Sequence, residues 1–121
     1  MNHFVAVFIG GGLGSLARYS IGLGTARLAQ FFPLGTFLSN AFATLLLALF
    51  VVWLLPRLDQ HAWMHSLLVI GFCGGFSTFS TFSVDTFKLA ESGQGLLAVA
   101  NVLINVLVCL GLAYIIMRKQ S

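Results

Sequence analysis

The chain has 121 residues, 59% of them hydrophobic and 7% charged. Six basic and three acidic side chains are too few to clothe a water-soluble surface, and a formal net charge of +3 is spread too thinly for nucleic-acid binding. A helix crosses a bilayer in about 20 mostly apolar residues, so the sequence predicts an all-α membrane protein, a single domain over 1–121 with four spans near 3–21, 33–55, 63–89 and 94–117.

The first span runs from about His3 to Ile21. A secretory signal peptide is the competing reading, but no Lys or Arg precedes the apolar run. Gly10, Gly11, Gly12 and Gly14 make one side of this helix very small, and Gly10-xxx-Gly14 fits a close helix–helix contact. Arg18 and Tyr19 come near its end, where an arginine can snorkel to the interface. Gly22-Leu-Gly24 is read as the helix end, with Arg27 in the connection. The second span starts near Pro33, a good first-turn residue, and ends before Pro56. Its polar cluster is Thr36, Ser39, Asn40 and Thr44. Thr36, Asn40 and Thr44 recur every four residues and share a face. His61 and His65 follow, four apart. They read either as half of a metal site or as ordinary interfacial residues.

The third span, from about Trp63 to Leu89, carries the most unusual stretch, Gly71 to Ser83. Glycines at 71, 74 and 75 weaken a helix. Phe76, Phe79 and Phe82 then alternate with the hydroxyls of Ser77, Thr78, Ser80, Thr81 and Ser83. Lipid offers hydroxyls no partner, so they must face protein, backbone or a wet path. The pattern predicts a broken helix: one segment to about Cys73, a turn, and a second from about Phe79. Asp85, Lys88 and Glu91 read as the exit to water. The fourth span, about Gln94 to Met117, has a mildly polar stripe of Asn101, Asn105 and Cys109. Cys73 and Cys109 have no disulfide or metal spacing and read as inert thiols. Arg118 and Lys119 close the chain.

Four spans put Arg57, Arg118 and Lys119 on one side of the membrane and Arg18, Arg27 and Lys88 on the other. The positive-inside rule then gives no instruction. Either copies insert both ways and pair antiparallel, or one unequal position, such as a deeply placed Arg18, sets a single orientation. The three phenylalanines also have two readings. Aromatics three apart on a helix are ordinary core. Alternatively, their positive ring edges hold a small anion weakly, helped by the hydroxyls of Ser80, Thr81 and Ser83 and the amide of Asn40. Backbone carbonyls freed at a glycine break would suit a hard cation such as Na⁺.

Three motifs in order carry a resemblance over essentially the whole chain: Gly11-Gly-Leu-Gly-Ser-Leu-Ala-Arg-Tyr19, Gly35-Thr-Phe-Leu-Ser-Asn40, and the run Gly71 to Ser83. With these the chain resembles the small fluoride channels called Fluc, or CrcB-like proteins. The resemblance implies a non-enzymatic, multi-pass protein of the cell inner (plasma) membrane that passes fluoride through two pores of an antiparallel, dual-topology homodimer. It implies that Phe79 and Phe82 line the pore with Asn40, that Ser80, Thr81 and Ser83 form a polar track, and that Arg18 lies near the entrance. It also implies a structural Na⁺ held by the carbonyls of Gly74 and Ser77 of both subunits. The chain departs from the family pattern at Ser77 (Thr expected), Ala43 (often Gly), and Asn101 and Asn105 (Tyr and Ser expected). A proton-coupled multidrug exporter of similar size would need a membrane-embedded carboxylate, and the first span has none. An accessory subunit would leave the hydroxyl run unexplained, and an enzyme would lack a general base in the polar cluster.

Overall fold

The computed structural model describes residues 1–57 and 61–118. Asp59 and Lys119, which enter the charge count, lie outside the described residues. The chain is all-helical there, with no strand among the described residues. The helices are α1 (His3–Gly24), α2 (Leu34–Arg57), α3 (62–76), α4 (Phe79–Glu91) and α5 (Gly95–Arg118). Four helical stretches are long and apolar enough to cross a membrane: α1, α2, α3 with α4, and α5. This is a multi-pass membrane protein.

Asn2 caps α1, its side chain accepting from the N–H of Phe4 at 2.7 Å, which satisfies a donor that no earlier turn can reach. The helix does not stop at Ile21. It runs through Gly22 and Gly24, since glycine in a membrane helix keeps its backbone bonds. It ends where the N–H and hydroxyl of Thr25 both turn back to the Ile21 carbonyl. α2 likewise runs past Pro56. Its backbone widens to π turns over Phe50–Leu54 and tightens to a 3₁₀ turn over Leu55–Arg57. Such local changes of winding are how a membrane helix accommodates proline's missing donor.

The closest packing lies between α1 and α3. Gly10 and Gly11 face Gly71 and Gly75, and Gly14 meets the backbone of Phe72 and Phe76, so two small faces meet rather than one small face meeting bulk. A Cβ on Gly14 would sit 2.1 Å from the Phe72 carbonyl oxygen, and one on Gly75 would sit 2.6 Å from that of Gly11. Backbones this close gain dispersion along their whole crossing, the main attraction left where lipid removes the hydrophobic drive. Gly71 and Gly75 of α3 therefore act as a packing face. Helical backbone continues through them to Phe76, past the Cys73 end read from the sequence. α5 packs against α2 and α4. Its outer sides expose Leu96, Leu103, Leu107 and Leu110, a surface suited to lipid.

Candidate functional site

The site is built around Ser77 and Thr78, the two extended residues between α3 and α4 (φ −79°, ψ 157° and φ −151°, ψ 120°). In a continuous helix the N–H of Thr78 would bond to the carbonyl of Gly74. Here it donates to Oδ1 of Asn40 on α2, at 2.8 Å. The N–H and hydroxyl of Ser77 both return to the Cys73 carbonyl, each at 3.1 Å. The carbonyls of Gly74 and Ser77 then have no hydrogen-bond donor among the described residues. Arg18 of α1 donates Nε to the neighbouring Gly75 carbonyl at 3.2 Å. A guanidinium there satisfies one open acceptor and opposes the negative end of the α3 dipole. Thr78 restarts the helix as the cap of α4, its hydroxyl oxygen accepting from the N–H of Thr81 at 3.2 Å.

Asn40 also starts a chain of side-chain bonds. Its Nδ2 donates to Oδ1 of Asn105 at 3.1 Å. Asn105 Nδ2 donates to the backbone carbonyl and Oδ1 of Asn101, at 2.8 and 3.0 Å. Asn101 Nδ2 donates to the hydroxyl of Thr86 at 2.9 Å, and that hydroxyl donates to the Phe82 carbonyl at 2.8 Å. Asn101 and Asn105 are 0% and 5% exposed. Burying two amides without partners would cost several kcal/mol, about 1–3 for each group; the chain satisfies them.

Beside this chain lies a cavity of about 420 Å³, lined by Asn40, Thr78, Phe79, Phe82, Asn105 and Cys109 among others. The rings of Phe79 and Phe82 are 5.6 Å apart, tilted by 52°. Phe82 is buried at 9% exposure, whereas Phe79 is 78% exposed on the single chain. Phe76 is different: it is buried and packs edge-on against Phe72. By burial the packing reading fits Phe76 and Phe82, while Phe79 and Phe82 line the cavity.

The hydroxyls do not form one set. Ser83 donates to the Phe79 carbonyl of its own helix at 2.9 Å, and Ser80 is exposed. Neither lines the Asn40 cavity. Thr81 lines a second cavity, of about 480 Å³, together with Arg18, Thr36, Thr78 and Asp85. At about 100° per residue a helix spreads neighbouring side chains around its axis, so a run of hydroxyls cannot share one face. Asp85 also needs correcting. It sits inside α4 and accepts from the Thr36 hydroxyl at 2.8 Å, rather than at an exit to water. Ser39, grouped with the polar cluster, is fully buried, and its Oγ has no partner among the described residues. His61 and His65 are exposed, and His61 meets Trp63 edge-on at 6.3 Å. No group of three potential metal-binding side chains occurs among the described residues.

Two participants were missed in the sequence. Thr86 drew no notice, although it lies one helical turn beyond Phe82. Cys109, read as inert, lines the cavity wall. Its place four residues beyond Asn105, on one stripe, was the available signal.

Fold and site together define a small polytopic membrane protein with a mostly apolar, aromatic-walled cavity, into which a few amides and hydroxyls are set, between its second, fourth and fifth helices. Comparison with known proteins narrows the class. The family model described as "CrcB-like protein, Camphor Resistance (CrcB)" matches residues 5–117. A protein of Pyrococcus abyssi (strain GE5 / Orsay) is 45% identical over 109 residues, covering 90% of this chain and 88% of its own. One of Coxiella burnetii (strain CbuK_Q154) is 39% identical over 111 residues, covering 90% of each. Both relatives are named "Fluoride-specific ion channel FluC". The chain belongs to the CrcB-like family, whose named relatives are ion channels rather than enzymes.

Proposed function

We propose that this protein is a fluoride-selective channel that lets fluoride leave the cell passively, across the inner membrane. The observation that carries the reading is the cavity in which an amide, two tilted phenyl rings and no acidic side chain come together. Fluoride is small and strongly hydrated, so a path for it must replace water with donors while holding the ion weakly enough to release it. The Asn40 amide supplies an N–H, and the ring edges of Phe79 and Phe82 supply positive potential without a full charge. The names of the relatives point to the same ion.

In this reading two chains inserted in opposite senses pair about a twofold axis and hold two pores. Two observations support the pairing: the balanced basic residues leave insertion undirected, and Phe79 is open on a lone chain, so a second copy would complete the wall around it. A central Na⁺ belongs to the same proposal. The carbonyls of Gly74 and Ser77, left without donors where the helix is interrupted, are the hard oxygen ligands such an ion takes. Bound there, it would supply a buried positive charge to an anion channel. Arg18 holds the carbonyl of Gly75 and lines the second cavity, consistent with an entrance role. Thr81 shares that cavity; Ser80, exposed on the lone chain, would be a donor at the mouth of the path, and Ser83 would join it only by releasing the Phe79 carbonyl.

The test is efflux from liposomes containing the purified protein, loaded with potassium fluoride or potassium chloride and followed with ion-selective electrodes. Rapid release of fluoride without chloride is expected. Release of neither ion, or of both at equal rates, would refute the proposal.

A further inference from the structure

We propose that Asn101 and Thr86, which lie outside the cavity wall, are positioning residues that fix the orientation of the Asn40 amide, so that the cavity meets a proton donor and not a carbonyl oxygen. The inference rests on the channel reading above and adds what selects the polarity of the site.

The two ends of an asparagine amide have nearly the same shape and opposite polarity. Rotation by a half turn exchanges them, and only the hydrogen-bond partners tell them apart. At one end of the chain of bonds stands the Thr78 N–H, which can only donate, so it requires Oδ1 of Asn40. At the other end stand the backbone carbonyls of Asn101 and Phe82, which can only accept. Between them every group passes the same polarity on: Asn40 to Asn105, Asn105 to Asn101, Asn101 to Thr86.

Turning Asn40 alone would set N–H against N–H at Thr78 and oxygen against oxygen at Asn105. Turning Asn105 would set its oxygen against both oxygens of Asn101. The three amides hold one sense because backbone groups at both ends require it. With Nδ2 bonded once to Asn105, Asn40 keeps one amide proton for an occupant of the cavity it lines. An anion needs that proton, and the reversed amide would repel it. Because the orientation exists before the ion arrives, no reorganisation is needed as it passes. Asn101 is fully buried, and neither it nor Thr86 lines the cavity. They can affect an ion there only through Asn105 and Asn40.

The test uses two variants, Asn101→Leu and Thr86→Val. The first removes two side-chain links of the chain at similar volume and leaves the backbone carbonyl at position 101 as the one acceptor still holding Asn105. The second keeps the shape and removes only the last link, and carries the test if Asn101→Leu does not reconstitute. Fluoride efflux from liposomes is measured per mole of folded protein. The side-chain amide signal of Asn40 is followed in ¹H–¹⁵N spectra during titration with sodium fluoride. Loss of hydrogen-bond anchors of this kind is expected to lower efflux about tenfold in Asn101→Leu and about threefold in Thr86→Val. The fluoride-induced shift of the Asn40 signal should shrink in the same order. Wild-type efflux and wild-type shifts in the variants that reconstitute would overturn the inference. So would efflux that falls only with the yield of folded protein while the shift persists, since that is a structural role. Wild-type liposomes that release no fluoride would instead overturn the channel reading, and the inference with it.

Discussion

Replacing Gly14 by alanine adds a single methyl group at one of the two tightest points of the α1–α3 crossing, the other being Gly10. That Cβ would lie 2.1 Å from the Phe72 carbonyl oxygen and 2.8 Å from the Phe76 nitrogen. Both obstacles are backbone, so no side chain can swing aside. Ordinary contact begins near 3.4 Å, and the helices must part locally by about 1 Å or more to reach it, a gap that forfeits much of the dispersion along the crossing. Overpacking a well-fitted interior costs about 1–3 kcal/mol, and a backbone obstacle belongs at the upper end. A loss of about 3 kcal/mol lowers the folded-to-unfolded ratio by roughly two orders of magnitude. The assay is unfolding in mixed micelles of dodecyl maltoside and increasing SDS, followed by the fluorescence of Trp53 and Trp63. Gly14→Ala should unfold at a clearly lower SDS fraction. Gly12→Ala is the control, because nothing lies within 4 Å of its Cβ, and it should unfold with the wild type. A Gly14→Ala protein as resistant to SDS as the wild type would refute the claim that backbone contact between the glycine faces holds α1 to α3.

Two further outcomes are expected. Ser77→Ala should leave fluoride efflux within about twofold of wild type, since the proposed Na⁺ ligand is its backbone carbonyl; in a crystal structure of the dimer, a cation peak bound by side chains, or no peak on the twofold axis, would contradict the ion proposal. An accessible tag after Ser121 should be labelled from both sides of the membrane, because the basic residues balance, and labelling from one side alone would remove the dual-topology proposal.

How far the sequence could be read depended on whether a feature was local. The apolar runs exposed the four long helical stretches because bilayer thickness sets their length. Gly10 and Gly14 announced a close contact by their spacing. Gly71 and Gly75, which meet Gly10 and Gly11, were read only as weakening a helix, because which helix meets which is a tertiary fact. The hydroxyl run misled in the same way. Its composition called for partners, but helical winding sends Ser83 to its own backbone, Thr81 to a second cavity and Ser80 to the surface. The stripe of Asn101 and Asn105 was visible as a period of four. That it ends on Asn40 follows from how α5 lies against α2, and no local pattern encodes that. Asp85 looked like a helix-end acid until Thr36, on another helix, was seen to donate to it.

The account stands or falls on whether fluoride passes the ring pair. Phe79→Ile and Phe82→Ile each keep apolar bulk and remove the ring edge, and each should be compared with wild type by fluoride-electrode traces of proteoliposomes carrying equal amounts of assembled protein. A drop in efflux of at least about tenfold in either variant is predicted, because in the proposed channel the positive ring edge takes the place of a charge at the cavity. Wild-type fluoride efflux in both variants would mean that Phe79 and Phe82 are packing residues and that the ion takes another path.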